Sequence, residues 1–358
     1  MTTPTLAAAA SMERAPAMPQ NELDVVALER WMAANVSGYC GPAVLAKFPG
    51  GQSNPTYRID TPSCTYVMRR KPFGPLLPSA HAVEREFRVI TALKPLRFPV
   101  PKTYGLCTDA SIIGAAFYVM DLVPGRTLWD GALPGMKSTE RREIYTSMID
   151  VLARLHSVEP TAIGLGDFGR TGNYFERQIA RWTKQFRASE TEHIEEVERM
   201  IAWLPRTLPA QDRTCIVHGD YRIDNLIFHS DGAELLAVLD WELSTLGDPL
   251  ADFCYFLMNW VSTYEGGSGI GGLDHRSMGI PTLDETVSRY CAVTGRDGVP
   301  DLNWYFAFNL FRLTAILQGI RKRVIDGNAS SEKAALKAQR VRPLAQQAWV
   351  FAQKAGAQ

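Results

Sequence analysis

Asp220, Asn225 and Asp240 are the residues of this chain whose types and spacing can do chemistry together. Two short apolar runs, Leu226–Phe228 and Leu235–Leu239, flank His229-Ser230-Asp231-Gly232, where the glycine can supply a positive φ. That pattern predicts a β-hairpin. Folding it about Asp231 and Gly232 sets Asn225 opposite residues 238–239, next to Asp240, with Asp220 in the loop feeding the first strand. Two carboxylates and an amide then converge at one end of the hairpin, and their oxygens suit Mg²⁺. One acid able to handle a hydroxyl proton, with an Asn and an Asp for metal, is the equipment that phosphoryl transfer needs.

Such a site needs a second part to hold phosphates, and the first third of the chain reads that way. Asn21 can cap a helix running to Val36. Strands are expected at Val44–Phe48, Thr56–Asp60 and Thr65–Arg70, with Pro49-Gly50-Gly51-Gln52-Ser53-Asn54-Pro55 between the first two. Strand, glycine loop, strand, turn, strand is a meander that can drape backbone over phosphates. Alternation on the third strand puts Val67, Arg69 and Lys71 on one face, the source of a cation for the cleft. A helix capped by Ser79 carries Glu86 beside its buried stripe, in reach of a basic residue of that strand. Strands at Thr103–Cys107 and Ala115–Asp121 complete five. Met120, Asp121 and Leu122 then leave through an apolar turn whose backbone could bind adenine.

From Ser138 onward the pattern is helical: Ser138–His156, Asn173–Arg187, Glu192–Leu204, a helix opened by Asp248-Pro249, then Leu283–Thr294, Asp301–Asp326 and Ser331–Gln353. His156 reads as a helix-end core histidine and Asp252 as a brace for the catalytic loop. Gly267-Ser268-Gly269-Ile270-Gly271-Gly272 is a literal G-x-G-x-x-G, but no strand precedes it, so dinucleotide binding is rejected in favour of a mobile loop.

Lys plus Arg and Asp plus Glu both number 38, so there is no global pull toward nucleic acid or membrane. Six scattered cysteines without a C-x-x-C read as reduced residues of a cytoplasmic protein. No apolar run approaches a membrane span. Residues 1–20 read as a disordered tail, 21–122 as a nucleotide-binding lobe and 123–358 as a catalytic and acceptor-binding lobe.

With these residues in place, the chain resembles the aminoglycoside phosphotransferase/choline kinase family, and most of all the branch fused to acyl-CoA dehydrogenases. The likeness rests on Phe48–Asn54, Val67-Met68-Arg69, Arg85-Glu86, Met120–Gly125, His218-Gly219-Asp220 through Asn225, Val238–Glu242, and Gly247-Asp248-Pro249 with Asp252. It implies an α+β, protein-kinase-like two-lobed fold: a five-stranded antiparallel sheet plus helix, and a larger helical lobe carrying the hairpin. It implies ATP and Mg²⁺ as cofactors and a small-molecule hydroxyl as acceptor, and leaves oligomeric state open. Asp220 would accept the hydroxyl proton, with His218 bracing its loop and Arg222 beside it. Asn225 and Asp240 would bind Mg²⁺. Gly50, Gly51, Ser53, Asn54, Arg69, Glu86, Met120 and Leu122 would hold the nucleotide.

Arg69 stands where many kinases have Lys, and Lys71 is the reserve candidate for the phosphates. Asp240 is followed by Trp-Glu rather than Phe-Gly, which argues against a protein kinase. The expected acceptor is a hydroxylated acyl compound or its CoA ester. The competing readings are a nucleotide-binding module without turnover, or an aminoglycoside- or choline-type kinase.

Overall fold

The computed structural model describes residues 23–49, 54–73, 81–327 and 333–358. The tail expected over residues 1–20, the Asn21 cap and the Ser79 cap fall outside them. Helix α1 (Val25–Asn35) is instead capped by Asp24, whose carboxylate accepts the Ala27 N–H at 2.9 Å.

Strands β1 (Val44–Lys47), β2 (Thr56–Asp60) and β3 (Thr65–Arg70) form the meander. Helix α2 (Val83–Leu93) follows, then β4 (Thr103–Cys107) and β5 (Phe117–Asp121). All pairings are antiparallel, in the order β1-β2-β3-β5-β4. Period-two alternation decides what each face covers. Tyr66, Met68, Phe117 and Val119 pack with Leu28 and Met32 of α1, whereas Val67, Tyr118 and Met120 pack with Val83, Val89, Ile90 and Leu93 of α2. The second face therefore also carries Arg69, directed toward the rest of the chain.

Beyond the sheet come β6 (Arg126–Thr127), α3 (Ser138–His156), α4 (Tyr174–Ser189), α5 (Glu195–Trp203) and β7 (Cys215–Val217). The expected hairpin is present as β8 (Leu226–Phe228) and β9 (Leu235–Val238), with Leu226 opposite Val238 and Ile227 opposite Ala237. Strand β6 flanks it, and β10 (Thr245–Gly247) pairs with β7. Helices α6 (Pro249–Val261), α7 (His275–Met278), α8 (Leu283–Thr294), α9 (Leu302–Ile325), α10 (Lys333–Ala338) and α11 (Val341–Lys354) complete the chain. The 24-residue α9 packs against α4, α6 and α11.

Two expectations change. The continuous helix over Ser331–Gln353 is broken at Gln339 and Arg340. Pro343, in the first turn of α11, has no N–H to give the Gln339 carbonyl, so a helix cannot run through. The glycine stretch expected to be mobile is pinned: Ile270 is fully buried and donates to Asn259 O, Gly271 donates to Ser262 O, and Gly267 accepts from Gly131 N.

One apolar cluster joins the α2 face of the sheet to α3, α4, α6, α9 and the hairpin. Each large side chain fully buried there contributes roughly 1.5–3 kcal/mol. Among the described residues no helix is long and apolar enough to cross a membrane, and all six cysteines are free thiols.

Candidate active site

The loop between β7 and β8 is shaped by backbone demands. Gly219 sits at φ +85°, and a Cβ there would lie 2.9 Å from both Leu243 Cβ and Leu243 O, so a side chain is excluded on two counts. The two amides at this bend are bound by one carboxylate. Asp252, on α6, accepts His218 N–H at 2.7 Å and Gly219 N–H at 2.9 Å. It also contacts His156 Nε2 at 3.3 Å, while His156 Nδ1 reaches Tyr290 OH at 2.7 Å. Burial alone would push the Asp252 carboxyl up; His156, His218 and the backbone donors outweigh it and hold the group low. His156 is thus the core histidine expected, and Asp252 the expected brace.

His218 is fully buried, with Nε2 2.9 Å from Leu239 O and Nδ1 accepting the Asp220 N–H at 3.2 Å. The tautomer with its proton on Nε2 satisfies both contacts, and the ring packs edge-on against Trp241 at 4.7 Å. Neither nitrogen is left to act on a substrate.

Asp220, part-buried, follows the bend. Its Oδ1 accepts Tyr255 OH at 2.7 Å and lies 3.2 Å from Arg222 Nε; its Oδ2 and backbone oxygen accept Asn225 Nδ2 at 3.2 and 2.9 Å. Burial would raise the Asp220 carboxyl, but Arg222, Tyr255, His218 and Arg312 hold it below the usual carboxylate range. Arg222 also binds Asp224 at 2.9 Å.

Because its amide nitrogen is spent on Asp220, Asn225 presents its Oδ1 as a buried oxygen with no hydrogen-bond partner among the described residues. A buried, unpaired acceptor is costly unless something binds it. Asp240 follows β9 in the left-handed region, φ +68°, uncommon for a residue with a side chain. An orphaned amide oxygen and the part-buried Asp240 carboxylate are hard oxygen donors of the kind that fit Mg²⁺.

Arg69 joins the sheet to this end of the hairpin. Its Nε is 3.0 Å from Glu86 Oε2, and its Nη2 is 2.8 Å from Asp240 Oδ1 and 3.4 Å from Glu242 Oε2. Glu86 is anchored further by Asn54 Nδ2 at 2.7 Å and Tyr118 OH at 3.1 Å. Burial pushes Glu86 up to about 7, although Arg69, Tyr118 and Asn54 all favour its charged form. Lys71, the reserve candidate, is turned to Glu84 at 2.5 Å.

Asn54 is buried against Glu86, whereas Gly50, Gly51 and Ser53 lie outside the described residues. Met120 sits in the sheet interior and is buried; Leu122 follows the last residue of β5 and packs partly buried. Sequence reasoning missed Tyr255 and Glu242 as contacts of Asp220 and Arg69. Tyr255 stands three residues after Asp252 on α6, the same helix face, so its spacing was a usable signal.

The phosphotransferase enzyme family matches residues 44–283. Acyl-CoA dehydrogenase family member 10 of Mus musculus is 47% identical over 95% of this chain, and family member 11 of Rattus norvegicus is 41% identical over 92%. The chain spans only 32% and 43% of those two proteins' lengths. A crystal structure of a candidate aminoglycoside phosphotransferase from Ralstonia eutropha superposes with a TM-score of 0.86 at 50% identity, covering 93% of this chain and 99% of that one. Aminoglycoside phosphotransferase APH(4)-Ia, solved with AMP-PNP and hygromycin B, shares the fold at a TM-score of 0.56 and 14% identity, over 90% of this chain and 98% of that one. The chain belongs to the phosphotransferase enzyme family and has its protein-kinase-like fold.

Proposed function

We propose that the protein is an ATP- and Mg²⁺-dependent small-molecule kinase that moves the γ-phosphoryl group to an acceptor hydroxyl. The observation that carries this reading is the Asp220 carboxylate, held ionised beside the orphaned Asn225 oxygen and fixed in place by Tyr255. The acceptor oxygen forms a bond to the γ-phosphorus as the bridging P–O bond breaks. That bond's electron pair leaves with ADP, and the hydroxyl proton passes to Asp220. Asn225 and Asp240 would hold Mg²⁺, which when bound neutralises charge on the phosphate oxygens. Arg69, positioned by Glu86, would supply a second positive charge to them. Positioning and charge neutralisation are most of what a phosphoryl-transfer enzyme contributes.

The acceptor we favour is a hydroxylated acyl compound or its CoA ester, because relatives of 47% and 41% identity are named as acyl-CoA dehydrogenase family members. An aminoglycoside acceptor has the weaker support of a fold shared at 14% identity with a protein solved with hygromycin B. One contact favours a second reading, a nucleotide-binding module without turnover: Arg69 grips Asp240 at 2.8 Å, where a metal would compete with it. ATP consumption with Mg²⁺ across hydroxy acids, hydroxyacyl-CoAs, amino alcohols and sugars separates the two. Acceptor-dependent ADP release is expected from at least one class; none from any class would favour the module.

A further inference from the structure

Beside the catalytic loop lies a cavity of about 600 Å³, between the start of α2, the residues following Asp240, α4 and α9. Its lining has an unusual charge balance. Arg85, Arg181 and Arg312 face one carboxylate, Glu242, which already meets Arg69. None of the three arginines has a carboxylate within ion-pair distance among the described residues.

Arg312 is the sharpest case. It is 9% exposed, donates Nη2 to Gly219 O at 2.5 Å, and lies over the rings of Tyr255 at 4.9 Å and Trp182 at 5.7 Å. Among the described residues its Nε–H is buried without an acceptor, and so is the indole N–H of Trp182. A guanidinium taken out of water normally finds a counter-ion. Arg181, exposed on α4, lies 5.0 Å over the Trp182 ring. Arg85 spends its Nη2 on the carbonyls of Phe168 and Ser244.

We propose that this cavity is the acceptor site and selects acceptors bearing an anionic group, a carboxylate or a phosphate, held by Arg312 and Arg181. The inference rests on the phosphotransfer reading and adds to it where the acceptor sits and what it must carry. Arg312 ties the anion to the bend at Gly219, one residue before Asp220, and its stacking partner Tyr255 holds Asp220 itself. An anion on Arg312 would therefore be registered against the carboxylate that takes the hydroxyl proton. Trp182 and Tyr174 offer apolar surface to the uncharged body of the acceptor. Polycationic acceptors are disfavoured by the same arginines.

Matched pairs test this: a hydroxycarboxylate against its amide, and a hydroxyalkyl phosphate against the parent diol. Wild-type protein should turn over the anionic member with a KM roughly tenfold lower, the scale of one charge-assisted contact. Arg181→Gln, at an exposed helix position, should bring the KM values of the anionic and neutral members to within about twofold of each other. The carboxylate and phosphate arms reveal which anion the site takes. Neutral members used equally well by wild type, or Arg181→Gln shifting both members alike, would overturn the proposal. Calorimetric titration of the same compounds without nucleotide separates the two layers. Saturable anion binding lost in Arg181→Gln, without turnover of any pair, sustains the cavity and sinks phosphotransfer. Turnover of hydroxyl compounds without anion preference does the reverse.

Discussion

Arg69 and Arg312 are both buried, Arg69 against Asp240 and Arg312 against the bend at Gly219, in contrasting company. Arg69 is 3% exposed and closed in by Glu86, Asp240 and Glu242. Arg312, 9% exposed, meets a carbonyl and two aromatic faces but, among the described residues, no carboxylate within ion-pair distance. A cation balanced by three internal carboxylates is part of the scaffold: it ties β3 to α2 through Glu86 and to the turn after β9 through Asp240 and Glu242. A cation whose charge reaches a carboxylate, Asp220, only beyond contact distance keeps one donor, its Nε–H, without an acceptor among the described residues. The positioning side of the site is thus internally complete, while the cavity side has charge to spare.

The contrast can be broken from the catalytic loop first. Asp220→Ala should lower kcat by roughly 10²–10⁴-fold with nucleotide binding intact, measured as ADP release against AMP-PNP affinity. Unchanged turnover would remove Asp220 from the mechanism. Arg69→Met removes the cation shared by Glu86, Asp240 and Glu242, of which Glu86 is fully buried, and urea unfolding should show a loss of about 3–5 kcal/mol. A loss within about 1 kcal/mol would mean that the network is not a scaffold element.

Asp248 sharpens the comparison through pH. Burial pushes its carboxyl up to about 6, against one backbone hydrogen bond from Leu250 N at 2.8 Å. The folded state therefore holds a proton between about pH 4 and pH 6 that the unfolded chain has released. This group's contribution to stability is full below that window and is lost as pH rises through 6. Asp248→Asn keeps a good N-cap and removes the titration, so above pH 6 it should be more stable than wild type by on the order of 2–3 kcal/mol. Equal pH slopes in the two proteins would place the effect elsewhere. The smallest change expected is Asn225→Ala, raising the Mg²⁺ requirement roughly tenfold. A superimposable metal titration would argue against Asn225 as a ligand.

Much of the scaffold was legible before any coordinates. The hairpin, the register that sets Asn225 beside Asp240, helix α3 and the Asp248-Pro249 cap all follow from patterns within a dozen residues. Where reading failed, a local feature had been given the wrong weight, as with Pro343 splitting the last helix. The glycine stretch at 267–272 looked loose by composition, yet backbone bonds and the buried Ile270 anchor it.

What the chain determined by itself was the order of its chemistry: a strand cation, a helix acid, a loop aspartate, then an amide and a second carboxylate across a two-stranded turn. Side-chain period and capping are local properties, readable from neighbours in sequence. Tertiary packing alone decided which partners those residues kept. Arg69 meets Asp240 across 171 positions, and Arg312 reaches Gly219 across 93. Such contacts depend on how α9, α6 and the sheet dock through a shared apolar core, and no local pattern encodes that docking. The unbalanced charge of the cavity appears only once those elements have met.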